Sequence, residues 1–336
     1  MSARDATLIC LTPVKNEAWI LDRFLQCAST WADHIIVADQ HSDDGSREIA
    51  SSFEKVTLID NPATSFNEPE RQKLLIDAAR DIPCEGRRVL VALDADEVVS
   101  ANWMTSPDWT TLRTAPPGTV FRFQWINLVE GVEQGWLDPA WHPYAFVDDG
   151  SPHVGHPIHS PRVPVPDDAT NIRLPSVRIL HYPYTNWSRM KSKQRWYQCY
   201  ERLTFPDKRA AHIYRQYHNM DVNVQKAQPL DPDLVSGYEE MGIDMRSVPD
   251  TDHYYWDDKV LAYLEEHGPE PFRRLDIWDE DWGAFARSKG LDLNGEYDDP
   301  RSPLDRAIHS WLKKTQARHD TLPNRIMQKL LQLVGW

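Results

Sequence analysis

The sequence predicts an α/β protein: a mixed, mostly parallel sheet with helices on both faces, plus a mostly helical C-terminal extension. Three observations predict it. Short apolar runs alternate with helix-length amphipathic segments through the first hundred residues, as in parallel strands joined by crossover helices. Each of these runs breaks on proline, a turn cluster or acids. Near residue 120 an alternating strand pattern replaces the continuous one, which calls for a mixed sheet.

The elements follow in order. Residues 7–12 are a buried strand, ended by Pro13. Asn16 caps a helix whose apolar side carries Trp19, Ile20, Phe24 and Leu25, with Cys27 close by. Residues 34–38 are the second strand, broken by the run from Asp39 to Gly45, which is dense in turn formers. A short helix over 46–53 leads to a third strand at 56–59. Residues 68–79 are helical, with Leu74, Leu75, Ala78 and Ala79 apolar, and the strand at 89–93 follows. Ligands of such folds bind beyond the carboxyl ends of the strands, where Pro13, Asp39 and Asp94 lie.

The next strand is 120–125. Residues 131–175, rich in Pro, His, Trp and Asp, are too long for a connector and predict a functional loop region with short strands. A strand at 177–182 and a helix at 187–203 come next. Beyond 206 the text is polar and weakly periodic, with helices expected at 276–286 and 303–316. The segment 323–336 puts Ile326, Leu330, Leu331 and Val334 on one side, with Arg325 and Lys329 near them. Docking on the domain is the favoured reading, ahead of partner binding or peripheral membrane contact.

Composition excludes several classes. A net charge of −14 argues against nucleic acid as a partner. No apolar run is long enough to span a membrane. The first residues show no secretory pattern, and Cys10, Cys27, Cys84 and Cys199 follow no metal or redox spacing, so the expected compartment is the reducing cytoplasm. Most of the fourteen tryptophans are read as packing, some as sugar-stacking platforms.

The chemistry concentrates at strand ends. The apolar run 89–93 breaks directly into Asp94, Ala95, Asp96 and Glu97. Paired carboxylates there suit a hard divalent cation that shares its coordination with a nucleoside diphosphate. Asp39 can accept from a base edge or a ribose hydroxyl, and Pro13 offers a rigid wall beside a planar base. Arg71 and Gln72 open a helix and can reach a diphosphate. So can the basic cluster of Arg189, Lys191, Lys193 and Arg195. His153, His156 and His159 are spaced by three, but Pro152, Pro157 and Pro161 forbid a regular helix through them.

In order, TPVKNE at 12–17, ADQHSDDGS at 38–46, FNEPERQ at 66–72 and LDADE at 93–97 resemble the family 2 glycosyltransferases of the GT-A (Rossmann-like) fold. The resemblance is strongest over 6–100, loose to about 203 and absent beyond. It implies a glycosyltransferase domain at 1–205, with a nucleotide-sugar half (1–100) and an acceptor half (101–205), and an extension at 206–336. It implies donor contacts from Pro13, Val14, Asn16, Glu17, Asp39, Arg71, Asp94 and Ala95. Asp96, the second acid of the Asp-x-Asp motif, is the implied direct ligand of Mn²⁺ or Mg²⁺, with Asp94 beside it and His181 as third ligand. The implied reaction is inverting transfer from a nucleoside-diphosphate sugar, a UDP-sugar favoured, to an acceptor hydroxyl on a glycan or lipid-linked acceptor. Asp148 and Asp149 are the carboxylate candidates for general base, with Asp138 and Glu133 behind them and His159 the alternative. The family's acidic pair in this region is missing: His159 and Ser160 stand in its place. Two other readings are a non-catalytic carbohydrate-binding relative and a nucleotidyltransferase, although residues 12–16 lack the glycine-rich loop the latter wants.

Overall fold

In the computed structural model the described residues are 6–64, 67–84, 86–156, 160–251, 254–291 and 297–336. In chain order they form β1 (Ala6–Val14), α1 (Ala18–Trp31), β2 (His34–Asp39), α2 (Ser46–Ser51), β3 (Val56–Asp60), α3 (Glu68–Asp81), β4 (Arg87–Ala92) and β5 (Glu97–Val99). Then come α4 (Pro107–Thr114), β6 (Thr119–Phe123), β7 (Trp125–Leu128), β8 (Gln134–Leu137), β9 (His142–Val147), β10 (Thr170–Arg173) and β11 (Ile179–His181). Next are α5 (Trp187–Thr204), α6 (Ala210–Tyr217), α7 (Asn219–Asn223), β12 (Gln228–Pro229) and α8 (Ser236–Glu240). The last helices are α9 (Tyr255–His267), α10 (Trp282–Ser288), α11 (Pro303–Thr315) and α12 (Leu322–Leu331). The chain divides into one unit of Met1–Thr185 with Gln228–Pro249 and another of Asn186–Ala227 with Asp250–Trp336. Helix α5 belongs to the second unit, because its Cys199 is buried with Val260, Leu261 and Leu264 of α9.

The first unit holds the expected mixed, mostly parallel sheet, in the order β10-β6-β9-β4-β1-β2-β3. Strands β4, β1, β2 and β3 are mutually parallel, and β9 runs antiparallel between β4 and β6. Side chains alternate between the two faces as the period of two demands. Leu8 and Cys10 of β1 and Val89 and Val91 of β4 join one core with Phe24 and Leu25 of α1. Ile9, Leu11, Leu90 and Ala92 join the other with Leu75, Ile76 and Ala79 of α3. Helices thus cover both faces. The expected loop region from 131 to 175 contains β8, β9 and β10.

Two local expectations change. Pro13 does not end β1, which continues to Val14. The last β1–β4 pair is Leu11 with Ala92, and Pro13 faces the β4 side beyond it, so its missing N–H breaks no ladder bond. Nor does Asn16 cap α1: it sits in the left-handed region at φ 56°. The cap comes from the loop after β2. Ser46 Oγ accepts from the Glu17 N–H at 2.9 Å, and Asp44 Oδ2 accepts from the Ala18 N–H at 2.9 Å.

A second, smaller sheet has the order β12-β8-β7-β11-β5. Residues 93–96 leave β4 in the large sheet and enter β5 in the small one, so the acidic turn is the link between the two sheets.

The second unit is helical. One of its cores gathers Ile213, Phe272, Trp282 and Phe285, and another gathers Tyr214, Ile308, Leu312, Leu331 and Trp336. The expected docking of the 323–336 stripe holds only for Leu331. Ile326, Leu330 and Val334 are 52 %, 52 % and 51 % exposed. Leu330 and Leu331 project about 100° apart around the axis, so seating one turns the other outward. Trp336 sets that rotation: its backbone N–H donates to Leu331 O at 3.0 Å, and its indole N–H donates to Asp305 at 3.2 Å.

Candidate functional site

Strand order reverses at β1: the chain proceeds through β2 and β3 on one side, then crosses to β4 on the other. Such a switch opens a crevice at the carboxyl ends of the strands. Val14, Asp39 and Asp94 stand at or just beyond the ends of β1, β2 and β4. The loops after β1 and β2 are tied together there. The Asn16 N–H donates to Ser42 Oγ at 2.9 Å, the Asn16 side chain exchanges bonds with Asp43, and Lys15 donates to the His41 carbonyl.

Asp39 is buried. Its Oδ2 accepts from the Ser42 N–H at 3.2 Å and from Arg47 at 2.8 Å. Burial alone would raise its carboxyl pKa, but the bonds from Ser42 and Arg47 outweigh it and hold the group below its ordinary value. Its Oδ1 is buried and has no hydrogen-bond partner among the described residues. Asn61, just past β3, donates its backbone N–H to the Asp39 carbonyl at 2.8 Å, and its buried amide nitrogen likewise has no partner among the described residues.

The acidic turn is closed by its own members. The Glu97 N–H donates to the Asp94 carbonyl at 3.0 Å, and the Asp94 N–H donates to Glu97 Oε2 at 2.9 Å. The Tyr144 hydroxyl donates to Glu97 Oε1 at 2.8 Å. Arg162 bridges the two acids, donating to Asp94 Oδ2 at 2.6 Å and to Glu97, while its guanidinium lies 5.0 Å from the Tyr144 ring centre. Burial pushes the Glu97 carboxyl up, to about 7; the Arg162 charge opposes this and Asp94 adds to it. Asp96 and Ala95 are buried, and the Asp96 carbonyl accepts from the Tyr182 N–H at 2.9 Å.

Arg162 went unnoticed in the sequence. The segment after β9 runs back along α3: Arg80 donates to Ser151 O, His153 bonds Gln72 at 2.9 Å, and the Ser160 N–H donates to Glu68 at 2.7 Å. Gly155 permits this close path, since a Cβ there would meet Ser160 Oγ at 2.0 Å. The only local hint was an arginine between Pro161 and Pro164, beside an apolar Val163 that is buried.

Several expected site residues stand elsewhere. Antiparallel β9 pairs Val147 with Val89, and the Asp148 N–H donates to Arg88 O. Asp148 and Asp149 therefore lie at the amino end of β4, about 20 Å of strand from Asp94. Asp148 is ion-paired with Arg80 at 2.8 Å and Arg88 at 3.4 Å, and exposed Asp149 accepts from the Ser151 N–H. Neither is brought to the acidic turn. His181 lies opposite Glu97 in the β5–β11 ladder, bonded to Asn127 at 2.7 Å and stacked 4.7 Å from Trp125. Among the described residues no three His, Cys, Asp or Glu side chains are arranged to hold one metal ion, so Asp94, Asp96 and His181 do not form a ligand set. Trp125 also stacks on His142 at 4.3 Å, so two histidine rings already pack against its indole. Arg195 is occupied by Asp257, Asp279 and Glu280. Arg71 is half-buried in the first turn of α3. Glu17 accepts from the Trp19 indole at 2.6 Å. His159 and Phe66 lie outside the described residues.

The donor set meets a hard cation part-way. Two carboxylates one residue apart fit Mn²⁺ or Mg²⁺ when phosphate oxygens and water complete the coordination, and do not fit a cage made of protein alone.

No protein-family model matches the chain, and no curated protein matches it. Among solved structures, glucosyl-3-phosphoglycerate synthase from Mycobacterium tuberculosis, with Mn²⁺, uridine diphosphate and glucosyl-3-phosphoglycerate, is similar over 37 % of this chain and 44 % of its own, at 17 % identity and TM-score 0.26. A 4-diphosphocytidyl-2C-methyl-D-erythritol synthase is similar over 42 % and 75 %, at 13 % identity and TM-score 0.30. The Anaerococcus prevotii form of that synthase covers 42 % and 71 %, at 11 % and 0.27. The match with the mycobacterial synthase thus spans less than half of either chain.

Proposed function

We propose that the first unit binds a nucleoside-diphosphate sugar at the carboxyl ends of β1, β2 and β4 and transfers the sugar to an acceptor hydroxyl. The observation that carries this reading is Asp39 Oδ1, a buried acceptor at the edge of β2 with no partner among the described residues. A bare buried acceptor costs about 1–3 kcal/mol. A base N–H or a ribose hydroxyl would offset that cost, with Pro13 and Val14 beside the base and Asn16 and Glu17 shaping the wall.

Asp94, Ala95 and Asp96 then face the diphosphate, and Asp94 and Asp96 would hold Mn²⁺ or Mg²⁺. Such an ion neutralises charge on the departing diphosphate. Arg162 adds a planar cation at the same place and suits the same oxygens. Arg71 of α3 would supply a further cation to the diphosphate. The acceptor hydroxyl attacks the anomeric carbon with inversion, the sugar–diphosphate bond breaks, and the hydroxyl proton passes to a base on the acceptor side. His159 is our candidate base. A UDP-sugar donor and a glycan or lipid-linked acceptor complete the proposal, in a reducing compartment that suits four free cysteines.

The test is calorimetric titration of UDP and GDP, with and without Mn²⁺, into the wild type, Asp39→Asn and Asp96→Ala. Metal-dependent binding that both variants weaken supports the reading. No diphosphate binding by the wild type overturns it, as would release of pyrophosphate from CTP, which would mark a nucleotidyltransferase.

A further inference from the structure

Helix α12 turns its apolar side to solvent. Leu322 is 70 % exposed, Ile326 52 %, Leu330 52 % and Leu333 82 %. At about 100° per residue Leu322, Ile326 and Leu330 fall within roughly 80° of one another around the axis, a continuous stripe, and exposed Leu333 follows in the turn just beyond the helix. Arg325 and Lys329, both exposed, edge it. The opposite side is anchored by buried Leu331 and Trp336, while Arg274 donates to the carbonyls of Val334 and Gly335, so the stripe is held facing outward.

Charge identifies the occupant. Residues 301–336 carry seven Lys and Arg against two Asp, in a chain whose net charge is −14. Arg306, Lys313, Lys314, Arg318, Arg325 and Lys329 are all exposed. At the end of α12 a cleft of about 410 Å³ is lined by five cations, Arg202, Lys208, Arg209, Arg273 and Arg274, against two acids, Asp207 and Glu270, together with Trp336. An apolar stripe edged by cations lies in the headgroup–acyl boundary of a membrane, and the cations favour anionic lipid. A second copy paired symmetrically on the stripe would set Arg325 and Lys329 near their own equivalents, which disfavours a dimer there. No helix among the described residues is long and apolar enough to cross a membrane, so contact through α12 is peripheral.

We propose that α12 docks the protein on an anionic lipid surface, with Leu322, Ile326, Leu330 and Leu333 entering the acyl boundary and Arg325 and Lys329 meeting the headgroups. The experiment is co-sedimentation of the full chain with phosphatidylcholine vesicles, with and without phosphatidylglycerol. The wild type is expected to bind the anionic vesicles at least about tenfold more tightly than the neutral ones, and less tightly as salt rises. Ile326→Glu with Leu330→Glu, both at exposed positions, is expected to lose that binding with an unchanged circular-dichroism melt. Arg325→Glu with Lys329→Glu is expected to remove the preference for anionic lipid. Failure of the wild type to bind anionic vesicles overturns the proposal. So does undiminished binding by the Ile326→Glu, Leu330→Glu protein. A concentration-dependent dimer that this variant abolishes, without vesicle binding by the wild type, assigns the stripe to a second copy instead.

Discussion

The two ends of the seven-stranded sheet carry similar residues in opposite states. At the amino end of β4, Asp148 Oδ1 accepts from Arg80 at 2.8 Å and from the Gly150 N–H at 3.2 Å, and Oδ2 accepts from Arg88 at 3.4 Å. Both oxygens are saturated by the protein. At the carboxyl end of β2, Asp39 Oδ2 is equally well held, yet Oδ1 has no partner among the described residues. In both, bonds to the charged form outweigh burial and lower the pKa. The contrast teaches that an aspartate at a strand end is no marker of a ligand site. The proposed donor site rests instead on the unused acceptor capacity of Asp39.

Four substitutions sharpen or break that contrast. The largest effect is expected from Arg162→Ala, which strips the partner from fully buried Glu97 and from Asp94. Removing one partner of a buried ion pair costs about 3–5 kcal/mol, part of it recovered as Glu97, already raised to about 7, takes up a proton; the cost is read as a lower urea midpoint. An unchanged midpoint would mean that Arg162 does not support the turn. Asp96→Ala should lower UDP affinity in Mn²⁺ on the order of 100-fold, about 2.7 kcal/mol, and EDTA should do the same to the wild type. Calorimetry showing equal binding with and without metal would remove the cation from the site.

Asp39→Asn keeps the shape and loses the acceptor's charge. Its expected cost is about tenfold in UDP affinity, near 1.4 kcal/mol. The smallest effect belongs to Asp148→Asn: about 1 kcal/mol of stability at neutral pH and none of the nucleotide affinity. Its pH dependence has a definite sign. Because the folded-state pKa lies below the ordinary 3.8, the contribution is present above that pH and is lost as pH falls through the folded value. Wild type and variant stability curves should therefore converge in acid. Curves that stay parallel would show that Asp148 keeps its charge-independent contacts only.

What the sequence made legible follows from distance along the chain. Strands β1 to β4 and helices α1 to α3 are written in local periodicity and turn residues, so the strand ends bearing Asp39, Asp94 and Asp96 were readable. The direction of β9 was not, because its antiparallel pairing with β4 is a choice made some fifty residues away. That one inversion carries Asp148 and Asp149 from the expected acceptor side to the far end of the sheet. Arg162 was hidden for a related reason: its partners lie 65 and 68 positions earlier. His181 was placed correctly at a strand end, but ladder register gave it Glu97 as neighbour rather than a ligand set. For α12 the apolar stripe was visible and its rotation was not, since Trp336 and Asp305 decide it.

The cap of α1 has a kinetic corollary. Its first amide donors find their acceptors 26 and 29 residues downstream, in the loop after β2. Until β2 has paired beside β1, the start of α1 has nothing to hold its amide protons. Those of Asn16, Glu17 and Ala18 should therefore exchange with deuterium in one cooperative opening shared with the 42–46 loop. A single proteolytic nick between Gln40 and Gly45 should then unprotect the first turn of a helix it never touches.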